Sequence, residues 1–99
     1  MNIDKITISN NNDYLEIYPK RHEVLVDDKT LKIEIETIKE LIRIIRAWKP
    51  EYIDNSFCDG PRFEVKVYRE GGVDCFRGVR KVPDNYYEFT ELVRRIHGR

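Results

Sequence analysis

Apolar and polar positions alternate over the first eighteen residues: Thr7 separates Ile6 from Ile8, Glu16 separates Leu15 from Ile17, and the run Asn10-Asn11-Asn12-Asp13 lies between. A period of two marks a strand buried on one side, and clustered asparagine and aspartate favour a turn because their side chains bond nearby backbone. The pattern predicts a hairpin with its loop at Asn10 to Asp13, Ile8 opposite Leu15 and Ile6 opposite Ile17. Lys5, Thr7, Ser9, Tyr14, Glu16 and Tyr18 then occupy the reverse side. After Pro19-Lys20-Arg21 a second alternating pair begins, with Val24 and Val26 before Asp27-Asp28-Lys29-Thr30 and Leu31, Ile33 and Ile35 after it. A two-residue turn at Asp28-Lys29 sets Val26 against Leu31 and Val24 against Ile33, leaving Glu23, Leu25, Lys32 and Glu34 on the other face.

At residue 37 the period lengthens. Ile38, Leu41, Ile42, Ile45 and Trp48 recur at three- and four-residue spacing while Lys39, Glu40, Arg43 and Arg46 fill the opposite side, which predicts an amphipathic helix ending before Pro50. Thr37-Ile38-Lys39-Glu40 has the form of a capping box at its start, although Leu31, Ile35 and Ile38 would also suit a helix begun earlier. Residues 51–61 show no period and predict a loop held to the core by Tyr52, Ile53 and Phe57. A third hairpin spans 62–79 around Gly71-Gly72, residues that take positive φ without steric cost. That turn pairs Val67 with Phe76, Val65 with Gly78 and Arg69 with Asp74, and places Tyr68 beside Cys75 and Lys66 beside Arg77 on the reverse face. A second helix follows Pro83, capped by Asp84 or Asn85, with Tyr86, Phe89, Leu92, Val93 and Ile96 as its apolar stripe before Gly98; Asn85 to Glu88 has the form of another capping box.

The fold class that follows is α+β: an antiparallel sheet built from three hairpins with two helices packed on one face, in the order β-β-β-β-α-β-β-α. A chain of 99 residues suits one domain, and a 40% hydrophobic content separates it from disordered chains. Eighteen basic residues balance eighteen acidic ones, so no net field draws the molecule to nucleic acid or an anionic membrane. The polar start Met1-Asn2-Ile3-Asp4-Lys5 does not form a signal peptide, and no apolar stretch is long enough to span a bilayer. With only Cys58 and Cys75 present, both as reduced thiols, the expected location is cytoplasmic.

Candidate chemistries are few. His22, Cys58, Cys75 and His97 lack the close spacings with which a local turn preorganises zinc, so the metal expectation is none. Cys75 has Arg77 two residues away, which would favour a thiolate, but no histidine base is predicted nearby; Cys58 lies among Asp54 and Asp59, which disfavour one. Asp27 with Asp28, and Asp54 with Asp59, sit where aspartate ordinarily forms turns. Gly71-Gly72 joins two strands, whereas a phosphate cradle joins a strand to a helix. No cofactor and no catalysis are expected, and an enzyme using the Cys75 thiol or one of these carboxylate pairs ranks third among the readings.

A basic stretch remains: Arg62, Arg77, Arg80 and Lys81, with Tyr86-Tyr87 just beyond, could grip phosphates and stack bases. That defines an alternative, nucleic-acid-binding reading. The leading one comes from geometry, because two helices on one side of a sheet leave the other side open. By the registers above, that side displays Tyr14, Tyr18, Leu25, Tyr68, Val73, Cys75 and Val79 among Lys5, Glu16, Lys32, Lys66 and Arg77. Tyrosine beside aliphatic and charged groups is the composition of protein interfaces, although tyrosine and valine also suit any solvated sheet face. The expected function is a protein-binding module, of inhibitor or immunity type, that blocks a macromolecular partner or associates with itself.

Overall fold

The computed structural model describes residues 2–10, 13–53 and 62–97. The first hairpin forms in the predicted register: β1 (Ile3–Asn10) runs antiparallel to β2 (Asp13–Tyr18), with Ile8 opposite Leu15 and Ile6 opposite Ile17. A 3-10 turn at Pro19–Arg21 leads through His22, at φ 52°, into β3 (Glu23–Val26). There the second hairpin departs from expectation. Its turn is Asp27-Asp28, at φ 49° and 64°, so β4 (Lys29–Lys32) pairs Val26 with Lys29 and Val24 with Leu31. Two successive left-handed residues are what a type I′ hairpin turn needs, and aspartate accepts that region more readily than the Lys29 of the expected turn. A shift of two keeps each side chain on its predicted face but moves it along the ladder. Leu31 is consequently 40% exposed. Ile33 has left the strand; its amide donates to the His22 carbonyl at 3.0 Å and its side chain is buried.

Helix α1 (Ile35–Arg46) begins two residues before the predicted start. Its N-cap is Glu34, without a side-chain cap, and the amides of Thr37 and Ile38 already donate to the Glu34 carbonyl at 3.1 and 3.3 Å. The amide that the Thr37–Glu40 box required is thereby satisfied by backbone. Ile38, Leu41, Ile44 and Ile45 face inward. The helix ends at Arg46, four residues ahead of Pro50.

Part of the predicted loop is a strand. β5 (Glu51–Ile53) pairs in parallel with β7 (Gly72–Val79), and the Arg77 amide donates to the Pro50 carbonyl at 2.9 Å. Three residues are too few to display alternation, and each pairs with a residue twenty-six positions away. Tyr52 is half-buried, whereas Ile53 is exposed; Phe57, Cys58, Asp54 and Asp59 fall outside the described residues, as do Asn11, Asn12 and Gly98.

β6 (Arg62–Arg69) and β7 form the third hairpin, also shifted by two: Val65 faces Phe76, Val67 faces Asp74, Tyr68 faces Val73 and Lys66 faces Cys75. Gly71 alone takes the positive φ, 87°, and Gly72 pairs with Arg69 as the first strand residue. This register sets Phe63 against Gly78. A methyl group at Gly78 would clash with the Phe63 ring and come within 2.7 Å of the Lys81 carbonyl oxygen, so the missing side chain is what lets the ring pack there.

The resulting seven-stranded sheet has the order β4-β3-β2-β1-β6-β7-β5 and is mixed, antiparallel throughout except for the β5–β7 pair. Helix α2 (Tyr86–His97) buries Phe89, Leu92, Val93 and Ile96. These residues, the inward side of α1, and Ile6, Ile8, Leu15, Ile17, Val24, Val26, Phe63, Val65 and Val67 of the strands belong to one buried cluster, so both helices cover the same sheet face. Trp48, just past α1, ties the layers together. Its ring lies 4.8 Å from Phe89 and 5.1 Å from Phe63, and its indole N–H donates to the Asn85 side-chain oxygen at 2.6 Å. Asn85 also donates to the Ile44 carbonyl at 3.2 Å, so its amide clamps the end of α1 to the start of α2 instead of serving the predicted capping box. Glu88, the other half of that box, reaches Arg43 of α1 at 3.5 Å.

Candidate functional site

The uncovered face of the sheet is organised in rows that follow the strand registers. One row runs Leu25, Glu16, Thr7, Lys66, Cys75; the next runs Tyr14, Ser9, Glu64, Arg77, Glu51. Thr7, at the centre between the longer Glu16 of β2 and Lys66 of β6, is 8% exposed. Around it the tyrosines are held in place. Tyr14 and Tyr18 flank Glu16 on β2, and their hydroxyls donate to its two carboxylate oxygens at 3.1 and 3.0 Å. Residues two apart on a strand project from the same side, so the Tyr-Glu-Tyr alternation itself creates this arrangement.

The electrostatics follow from those contacts. Tyr18 is held above the ordinary phenol range first by its hydrogen bond to Glu16, then by burial. Tyr14 is raised first by burial and then by the same carboxylate. Both phenols therefore remain protonated donors at neutral pH. The Lys5 ammonium lies 4.7 Å over the Tyr68 ring and the Arg21 guanidinium 4.3 Å over Tyr18, within the range of cation–π attraction. Lys66 reaches Glu64 at 3.6 Å, an exposed pair worth about 1 kcal/mol or less. The outcome is three rings, Tyr14 held by a hydrogen bond, Tyr68 by a cation and Tyr18 by both, each with part of its surface open to solvent.

All seven residues expected on this face lie on it. Tyr14 is 53% exposed and Val73 47%, Cys75 is exposed, and Tyr18, Leu25, Tyr68 and Val79 are half-buried. Glu16 as the shared acceptor and Arg21 as a partner of Tyr18 were not singled out by sequence reasoning. The Tyr-x-Tyr spacing with an acid between was the available signal for Glu16, whereas Arg21 arrives through the 3-10 turn and leaves no trace in a periodicity.

Arg62, Arg77, Arg80 and Lys81 gather at one end of the sheet, but Arg77 stands directly between Glu64 and Glu51 on the neighbouring strands. Arg80 is half-buried at φ 61° and bridges to Ile53. Opposite charges thus alternate across this end. His22 is exposed at the close of the 3-10 turn, and His97 lies in the last turn of α2 with both ring nitrogens buried and without a hydrogen-bond partner among the described residues. No three His, Cys, Asp or Glu side chains converge as metal ligands among the described residues, and no helix there is long and apolar enough to cross a membrane. Comparison with family models, curated proteins and solved structures gives no match, so the chemistry of this face has to speak for itself.

Proposed function

We propose that this protein is a non-catalytic binding module whose tyrosine-bearing sheet face docks a protein, either a partner that it blocks or a second copy of itself. The observation that carries the reading is the fixed group Tyr14–Glu16–Tyr18 beside Lys5–Tyr68 on the uncovered face. Rings held in this way lose little rotamer entropy on association, while their edges and faces supply contact area. Leu25, Val73 and Val79 contribute apolar surface beside them, and Lys66, Glu64 and Arg77 provide a charged surround of the kind that excludes wrong partners by like-charge contact. The nucleic-acid reading is weaker, because a phosphate backbone meeting Arg77 would also meet Glu51 and Glu64.

The test combines light scattering with affinity capture from the source cell. Tyr68→Ala and Tyr18→Glu, each checked for an unchanged fold by circular dichroism, are expected to weaken self-association or partner capture at least tenfold, the loss of one hot-spot contact. Association retained in full by both variants would remove this face from the function, and steeply salt-dependent binding of short DNA or RNA would favour the alternative.

A further inference from the structure

A second surface lies on the helix side, away from the tyrosines. Between α1 and the β6–β7 hairpin runs a groove of about 800 Å³. Its floor is Ile3, Ile42, Ile45, Val67 and Phe76; Ile45 and Val67 belong to the buried core, while Ile3, Ile42 and Phe76 are half-exposed. Its walls are basic. Lys39, Arg43 and Arg46 stand at spacings of four and three along α1, on one side of the helix and over a length of about 10 Å, and Arg69 faces them from β6. Asp74 is the one acid among the lining residues, and it is neutralised by a two-pronged contact from Arg69 at 2.9 and 3.1 Å. Arg43 pairs with Glu88 at 3.5 Å with both side chains exposed, and Lys39 and Arg46 have no acidic partner among the described residues. The neutral total of the chain therefore hides a local positive excess beside exposed apolar surface.

We infer that this groove docks an acidic amphipathic segment of a partner protein, with apolar side chains on Ile3, Ile42 and Phe76 and carboxylates along the line Lys39–Arg43–Arg46. Two features select this occupant. The positive charges are spread along the groove, matching several carboxylates in series better than the single headgroup of a fatty acid. The floor is an open trough, which would leave a bare acyl chain wet, whereas a folded partner brings its own cover. Nucleic acid would satisfy the cations but leave the isoleucines without a use. The inference is independent of the sheet-face reading, since the two surfaces lie on opposite sides of the sheet.

The probe is a synthetic peptide with leucine and phenylalanine on one helical face and glutamate on the other, titrated into isotope-labelled full-length protein. Saturable binding is expected, with amide shifts concentrated at Ile3, Ile42 and Phe76. Affinity should fall roughly tenfold in the double variant Arg43→Glu/Arg46→Glu and decline with added salt, because the contacts are partly solvent-screened. Lys39→Glu/Arg46→Glu, both at exposed positions, repeats the test if the first variant has an altered spectrum. Tyr14→Ala should bind the peptide as tightly as the unsubstituted protein, whatever its effect on the sheet face. Absence of saturable binding, equal affinity in the charge-reversed variants, or shifts confined to the sheet face would overturn the inference. Laurate or single-stranded DNA occupying the groove when the peptide does not would overturn it in favour of that ligand.

Discussion

Glu16 accepts hydrogen bonds from two phenols at once, and this makes the tyrosine face testable without knowledge of any partner. With the carboxylate removed in Glu16→Ala, both phenols lose an interaction that favours their protonated form, so phenolate should appear at lower pH. Tyr18, raised chiefly by that bond, should move further than Tyr14, raised chiefly by burial. Phenolate absorbance followed against pH, with Tyr14→Phe and Tyr18→Phe assigning the two transitions, measures this; a titration identical to the unsubstituted protein would mean that Glu16 does not hold the rings. Tyr14, Glu16 and Tyr18 were legible as neighbours from their spacing alone. That the three share hydrogen bonds was not, since donors four apart on a strand reach a common acceptor between them only when their rotamers turn toward it.

Among the elements, those that bury a side chain every second or every third to fourth residue match the pattern, and those governed by turn conformation do not. β1 and β2 carry the predicted register, and α2 buries four of the five residues of its predicted stripe. Both later hairpins are displaced by two residues, because alternation defines which face a side chain takes but not how far along the partner strand it lies. The choice falls to whichever residues tolerate positive φ: Asp27 and Asp28 in one turn, Gly71 in the other. At Asp28, φ 64° strains a residue with a β-carbon but not glycine, and aspartate-glycine is a favoured pair for such a turn. Asp28→Gly is therefore expected to stabilise the β3–β4 hairpin by about 0.5–1 kcal/mol, with a rise in Tm of a few degrees by calorimetry. A lowered Tm would show that the Asp28 side chain supports the turn.

Across the whole molecule, the layers are joined by a few polar ties inside an otherwise apolar contact: Trp48 to Asn85, Asn85 to Ile44, and the Tyr86 hydroxyl donating to Asn10 at 3.0 Å. Tyr86 rests on Phe63 and Phe89, and burial pushes its phenol from the ordinary 10.0 up to about 12. A group whose folded-state value is raised contributes fully below its unfolded value and loses that contribution as pH climbs through the folded one. Stability should thus hold up to pH 10 and fall between pH 10 and 12. Urea midpoints across that window should decline less steeply in Tyr86→Phe than in the unsubstituted protein, even though the variant begins lower for want of its bond to Asn10. Equal slopes would show that the phenol ionises as readily folded as unfolded.

Periodicity along the chain established the strands of three hairpins, two amphipathic helices, their common side of the sheet, and a tyrosine-bearing reverse face, because burial on one side writes itself locally into every second or every third to fourth residue. Three other features came only with the folded chain. β5 joins the far edge in parallel with β7, the strand order sends the chain from β4 at one margin to β5 at the other by way of α1, and the basic groove brings Arg69 opposite Lys39, Arg43 and Arg46. Each depends on contacts between residues distant in the chain, and no local pattern records which of several equally apolar surfaces will meet.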